Sequence, residues 1–231
     1  MTGEIDLLEN IETVRQRIAT AAQKRGISPE SIALVAVTKT VSPEKINLAI
    51  QHGIKLIGEN KIQEARDKFT QLNYPVKKHM IGHLQRNKVK YAVKMFDMIQ
   101  SVDSLKLAEE INQKTESRMP ILIEVNTSGE SSKFGCAPEE TINLLKQITS
   151  LHRLEVQGFI TIGLFTDDME EVRPCFRILK QIYDEAQNLN LPNSNISVLS
   201  MGMSADFETA IEEGANMVRI GTAIFGPRPI N

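Results

Sequence analysis

Cysteine is scarce in this chain of 231 residues, and the only two, Cys136 and Cys175, have neither metal-ligand spacing nor a neighbouring histidine pattern. That argues against a zinc framework or a disulfide scaffold and reads as two reduced thiols in a cytoplasmic protein. An excess of charge of one sign is missing too. Lys and Arg number 27 against 29 Asp and Glu, a formal net charge of −2, and the basic residues are scattered rather than striped, so there is no electrostatic footprint for nucleic acid. No uninterrupted apolar stretch is long enough to cross a bilayer, and the acidic start Met1-Thr2-Gly3-Glu4-Ile5-Asp6 is not the basic-then-apolar pattern of an export signal. Long linkers and low-complexity tracts are also lacking. One domain over residues 1–231 is therefore expected.

What is present is a regular alternation of strand and helix signals. Leu7, Ile11, Val14, Ile18 and Ala21 form one apolar stripe on a helix ending near Gly26. Ala33 to Val37 is apolar enough for a strand buried on both faces, and Ser42-Pro43 then opens a helix that Gly53 closes. Strands are expected at 55–58, 79–82, 98–102, 121–125, 156–162, 196–199 and 217–220, with helices between them at 61–69, 89–95, from 103 or 104 to 111, from 138, at 170–189 and at 204–213. The result is roughly eight strands, each followed by a helix except the last. This predicts an α/β fold, a single (β/α)8 TIM-like barrel with an extra N-terminal helix, which leaves no segment over; an open doubly wound sheet is the lesser alternative.

In such a barrel the residues just after each strand gather at one mouth, over a rigid floor. Here they are Lys39, Glu59-Asn60, His83, Asn126, Thr161, Ser200-Met201 and Arg219-Ile220-Gly221-Thr222. Lys39 stands out, because an amine at the tip of a hydrophobic strand rarely serves packing. Gly202 followed by Ser204, and Gly221-Thr222, offer backbone N–H groups and hydroxyls for an anion, although Ser204 would serve equally as the cap of its own helix and Gly221 as a simple turn. Together with Lys39 they suggest a phosphorylated carbonyl ligand. A neutral lysine amine is needed to form an imine, and Arg219 can supply a cation that lowers its pKa.

Five motifs then carry a family resemblance: Val35 to Lys39, Ile57 to Ala65, His79 to Lys88, Leu199 to Asp206 and Val218 to Gly226. In that order, over nearly the whole chain, they closely resemble the pyridoxal phosphate homeostasis protein family. The resemblance implies a barrel like the N-terminal domain of alanine racemase with pyridoxal 5'-phosphate (PLP) at its mouth. It also implies Lys39 as the imine lysine, Arg219 as the partner of the pyridine nitrogen, and Ser204, Gly221 and Thr222 as part of the phosphate cradle. Asn60, His83, Ser200 and Met201 join this cofactor-binding set as mouth residues; no catalytic residue and no metal ligand is assigned. Two departures from the family pattern bear on packing around the ligand: Lys78 where many members have an aromatic, and Phe159-Ile160 in place of Leu-Met after Gly158. Lys133 reads as a solvated charge.

Arg219 bears on what the cofactor can do. A guanidinium only donates hydrogen bonds, so a ring nitrogen facing it stays unprotonated and is a weak electron sink, which disfavours transamination and decarboxylation. Racemisation needs a second proton-transfer group opposite Lys39, and neither Tyr74, Tyr91 nor Tyr183 falls at the carboxyl end of an expected strand. The expectation is a non-catalytic, monomeric PLP carrier of vitamin B6 homeostasis, serving PLP-dependent apo-enzymes or B6-supply enzymes. The alternatives are a small amino-acid racemase and a barrel enzyme acting on a phosphorylated aldose through Lys39.

Overall fold

The computed structural model describes residues 2–166 and 168–227; Met1, the first residue of the acidic start, lies outside them. Eight strands, β1 (Ala33–Val37), β2 (Leu56–Glu59), β3 (Lys77–Met80), β4 (Met98–Val102), β5 (Met119–Glu124), β6 (Leu154–Ile160), β7 (Ser194–Ser200) and β8 (Met217–Ile220), are parallel and close into a barrel in sequence order. β1 pairs with β8 from Ala33 opposite Met217 to Ala36 opposite Ile220, so no sheet edge is left open. Helices α1 (Thr2–Lys24), α2 (Pro43–Gln51), α3 (Ile62–Phe69), α4 (Val89–Met95), α5 (Leu105–Lys114), α6 (Thr141–Ile148), α7 (Met169–Gln187), α8 (Phe207–Glu212) and the four-residue α9 (Thr222–Phe225) surround it. Among the described residues no helix is long and apolar enough to cross a membrane, no three His, Cys, Asp or Glu cluster as metal ligands, and both cysteines are free and buried.

The last strand has only the short α9 behind it, and α1 makes good the deficit. Leu7, Ile11, Val14, Ile18 and Ala21 are all buried, and α1 packs on α2, α8 and α9 over the seam where β8 meets β1. Polar contacts fix it there: Asn10 Nδ2 donates to Ile224 O at 3.1 Å, and Arg17 makes a forked pair with Glu208 at 3.1 and 2.6 Å. Those contacts hold α8 and α9, the helices before and after β8, the strand that carries Arg219.

Boundaries differ from the pattern in instructive places. β6 starts at Leu154 and stops at Ile160; Thr161 just beyond it still donates its backbone N–H to Ser200 O at 3.2 Å, and its hydroxyl bonds Val125 O at 2.7 Å. In α6 the inward residues are Leu144, Leu145 and Ile148, while Ile142 is half-buried. Ser204 does not begin a helix; α8 starts at Phe207 after a turn at Gly202, whose φ of 92° and tight fit exclude a side chain, since a Cβ there would lie 2.6 Å from Ala210 Cβ.

Candidate functional site at the carboxyl ends of the strands

Lys39 follows the last ladder position of β1 and is half-buried, and both of its neighbours are tied down. Thr38, fully buried, donates through its hydroxyl to Glu59 Oε1 at 2.7 Å. Lys68 of α3 reaches Thr38 O at 2.5 Å, Glu59 Oε1 at 3.0 Å and Glu64 Oε1 at 2.6 Å, and Glu64 in turn accepts from the Thr40 N–H. Thr40 itself sits at φ 63°, an uncommon conformation for a residue without glycine's freedom, and the cluster that grips it from α3 holds it there. The strand tip is therefore braced from behind the sheet, which fixes where the Lys39 stem begins.

Lys39 shares a cavity of about 230 Å³ with Gly221 and Thr222, together with Ser42 and Lys45 at the start of α2. Two lysines, hydroxyls and the backbone at the head of α9 suit an anionic group. The volume is below the roughly 300–1,000 Å³ of a whole drug-sized ligand and fits the charged end of one. Lys45 and Ser42 were not legible as site residues. Ser204 belongs to this wall in an unexpected way: it caps no helix of its own, and its Oγ accepts at 3.3 Å from the backbone N–H of both Gly221 and Ala223, steadying the loop between β8 and α9 from the β7 side.

Inside the barrel, Arg219 is buried and anchored by neutral groups. Its Nη1 donates to Ser200 Oγ at 2.9 Å and its Nη2 to Thr161 O at 2.7 Å. Ser200 Oγ then donates to Gln100 Oε1 at 2.9 Å, and Gln100 Nε2 lies 2.8 Å from His79 Nδ1. Burial drives His79 down to about 4, so it stays neutral and can accept there. The whole chain from β8 through β7 and β4 to β3 thus has one direction of donation, and its only positive charge is at Arg219. Burial lowers the guanidinium to about 10, which leaves it charged at neutral pH. Beside this chain of hydrogen bonds Met98, Leu122, Ile160 and Val198 form an apolar plug.

Other expected residues fall elsewhere. Met201 is fully buried in the hydrophobic core, so its side chain packs rather than facing the cavity. Asn60 and His83 line a different cavity, of about 290 Å³, with Lys61 and Lys88. His83 also stacks on Phe134, with ring centroids 3.8 Å apart, and lies 3.6 Å from Asp103. Asn126 spends its amide on the carbonyls of Glu130 and Lys133, organising the loop after β5. Lys133 is not a solvated charge: its side chain is only 17% exposed, pairs with Glu130, and donates to Gly163 O at 2.8 Å, joining the loops after β5 and β6. Lys78 lies over the Phe69 ring, while Phe159 and Ile160 are buried.

Glu124, the last residue of β5, is a further candidate that sequence reasoning missed. Two positions beyond the plug residue Leu122 with no bulge between them, it faces the barrel interior. It is 5% exposed, and its Oε2 is buried without a hydrogen-bond partner. Burial, helped by the charge of Asp103 and opposed by Arg219, lifts its carboxyl to about 7. In the closed ring β5 lies four strands from β1 in either direction, which puts Glu124 across the mouth from Lys39. The tyrosines are all remote from that position: Tyr74 precedes β3, Tyr91 is in α4 and Tyr183 in α7.

The family model of the alanine racemase N-terminal domain matches residues 7–229. The pyridoxal phosphate homeostasis protein of Aquifex aeolicus is 41% identical over 227 residues, which span 95% of this chain and 97% of that protein. A crystal structure of a Bifidobacterium adolescentis protein superposes with a TM-score of 0.93 at 35% identity, covering 97% of this chain and 96% of the other. PipY of Synechococcus elongatus, solved with PLP bound, gives a TM-score of 0.78 at 31% identity over 90% of this chain and 100% of its own.

Proposed function

Because this chain belongs to the pyridoxal phosphate homeostasis protein family, on the barrel of the alanine racemase N-terminal domain, we propose that it binds PLP and holds it for delivery rather than for turnover. The observation that carries the reading is one cavity shared by Lys39, Lys45, Gly221 and Thr222. When bound, PLP supplies an aldehyde that a lysine amine can hold by a C=N bond with loss of water. Lys39 is the amine at this site, Gly221, Thr222 and Lys45 take the phosphate, and Ser204 steadies their loop. Arg219, backed by Ser200, presents donors only and so keeps a facing ring nitrogen unprotonated. Asn60 and His83 line the neighbouring cavity at the mouth, and Met201 packs in the core behind the site.

The carrier works as a monomer in the cytoplasm, with PLP-dependent apo-enzymes or B6-supply enzymes as its partners. One observation favours amino-acid racemisation as a second reading: Glu124 places a titratable carboxyl opposite Lys39. Against it stands the weak electron sink beside Arg219, which disfavours loss of a proton from Cα even with an acid–base group in place. L- and D-amino acids should therefore show no sustained uptake of solvent deuterium at Cα. Multiple turnovers that vanish in Lys39→Ala would replace the carrier with a racemase. Pyridoxal without its phosphate should bind at least about tenfold more weakly than PLP; equal affinities would rule out the cradle.

A further inference from the structure

Among the described residues three buried side-chain oxygens lack a hydrogen-bond partner: Glu59 Oε2, Asn60 Oδ1 and Glu124 Oε2. Glu59 lies behind the sheet with Lys68 already on its other oxygen, and Asn60 is only half-buried beside the second cavity. Glu124 differs from both, since it points into the barrel, under the mouth, on the strand opposite β1. A buried polar atom without a partner is costly, and where one persists inside a binding site the natural partner is the ligand.

We propose that Glu124 is a further cofactor-contacting residue, whose unpaired carboxyl oxygen takes its hydrogen bond from, or gives it to, the PLP held between Lys39 and Arg219. This rests on the PLP reading above. The charged groups around Glu124 are Arg219 from β8 and Asp103 from the loop after β4, with His83 beyond Asp103; Asp206 faces Arg219 from the β7 side. Burial raises the acid to about 7, so both of its forms are present near neutral pH. The protonated form donates to an anionic oxygen of the ligand and leaves the charge of Arg219 unopposed. The ionised form loses that donor and sets a negative charge against a negatively charged ligand. Retention of PLP therefore weakens as pH rises through the titration of Glu124.

The test is PLP affinity, read by the visible absorption of the lysine-bound cofactor and by equilibrium dialysis, from about pH 6 to about pH 8.5. Three proteins are compared: wild type, Glu124→Gln, which keeps the shape and an N–H donor without titrating, and Glu124→Leu. Changes in Lys39 and in the phosphate are common to all three, so the ratios isolate Glu124. At the acidic end Glu124→Gln should match wild type and Glu124→Leu should bind about tenfold more weakly; at the alkaline end wild type should fall about tenfold below Glu124→Gln. If wild type binds PLP and Glu124→Gln follows the same pH profile, Glu124 does not touch the cofactor. A wild type that binds no PLP at either end overturns the PLP reading as well.

Discussion

Lys68 and Arg219 are both buried cations close to the mouth, 8% and 4% exposed, yet they are held in opposite ways. Lys68 lies outside the sheet and gives its ammonium to two carboxylates, Glu59 and Glu64, and to the carbonyl of Thr38. Arg219 lies inside the barrel and gives its guanidinium to a hydroxyl and a carbonyl, with Asp206 and Glu124 acting on it only through space. A cation neutralised by contact is a brace, and what it fixes here is the strand tip that carries Lys39. A cation oriented by neutral groups keeps its charge for whatever binds beside it. Burial alone does not separate structural from functional charge; the identity of the partners does.

If that distinction holds, the largest effect should come from Lys68→Met. Removing one member of a buried ionic cluster leaves the others uncompensated, which typically costs about 3–5 kcal/mol. Denaturant unfolding of the apo-protein should show a loss in that range, and a change below about 1 kcal/mol would mean that the cluster is no brace.

A smaller effect is expected at Glu124. Its carboxyl is raised from about 4.5 to about 7 in the folded chain, so the neutral form stabilises the fold fully below the ordinary glutamic acid value, and that contribution is lost as pH rises through about 7. One pKa unit corresponds to about 1.4 kcal/mol, so wild type should lose up to about 3 kcal/mol between pH ~5 and pH ~8 from this group, and Glu124→Gln should remove that slope. An unchanged slope in the variant would place the titration elsewhere.

Arg219→Met sharpens the contrast with Lys68 most finely. No carboxylate contact is broken, so stability should move by less than about 1.5 kcal/mol, while PLP affinity should fall at least about tenfold with the loss of a charged donor. A variant that unfolds like Lys68→Met while binding PLP normally would reverse the roles assigned to the two cations.

The barrel was legible because its hydrophobic period changes cleanly from strand to helix, and because every segment found a place in the alternation. Lys39, Gly221 and Thr222 were legible as strand-end residues, and the structure brings them into one cavity. Lys68 was hidden because a lysine on a polar helix reads as solvated; Glu64 and Lys68 stand four apart, but only the packing of α3 against β2 buries the pair. Ser204 was open to two readings, a local cap or part of the anion loop, because the N–H groups its Oγ accepts from lie 17 and 19 residues away, beyond any local pattern. Glu124 carried the same signal as Lys39, a charge in an apolar strand, but its direction follows only from the register of β5 against β6. His83 and Asn60 were correctly placed near strand ends, yet position along a strand does not say which of two neighbouring cavities a residue lines.

The central claim is that the braced Lys39 is where PLP is attached, and borohydride reduction of the PLP-loaded chain followed by peptide mapping tests it most directly. The pyridoxyl group should be found on Lys39, and the adduct should be absent from Lys39→Ala treated in the same way. A reduced adduct on Lys45, Lys68 or another lysine, with Lys39 unmodified, would contradict the account.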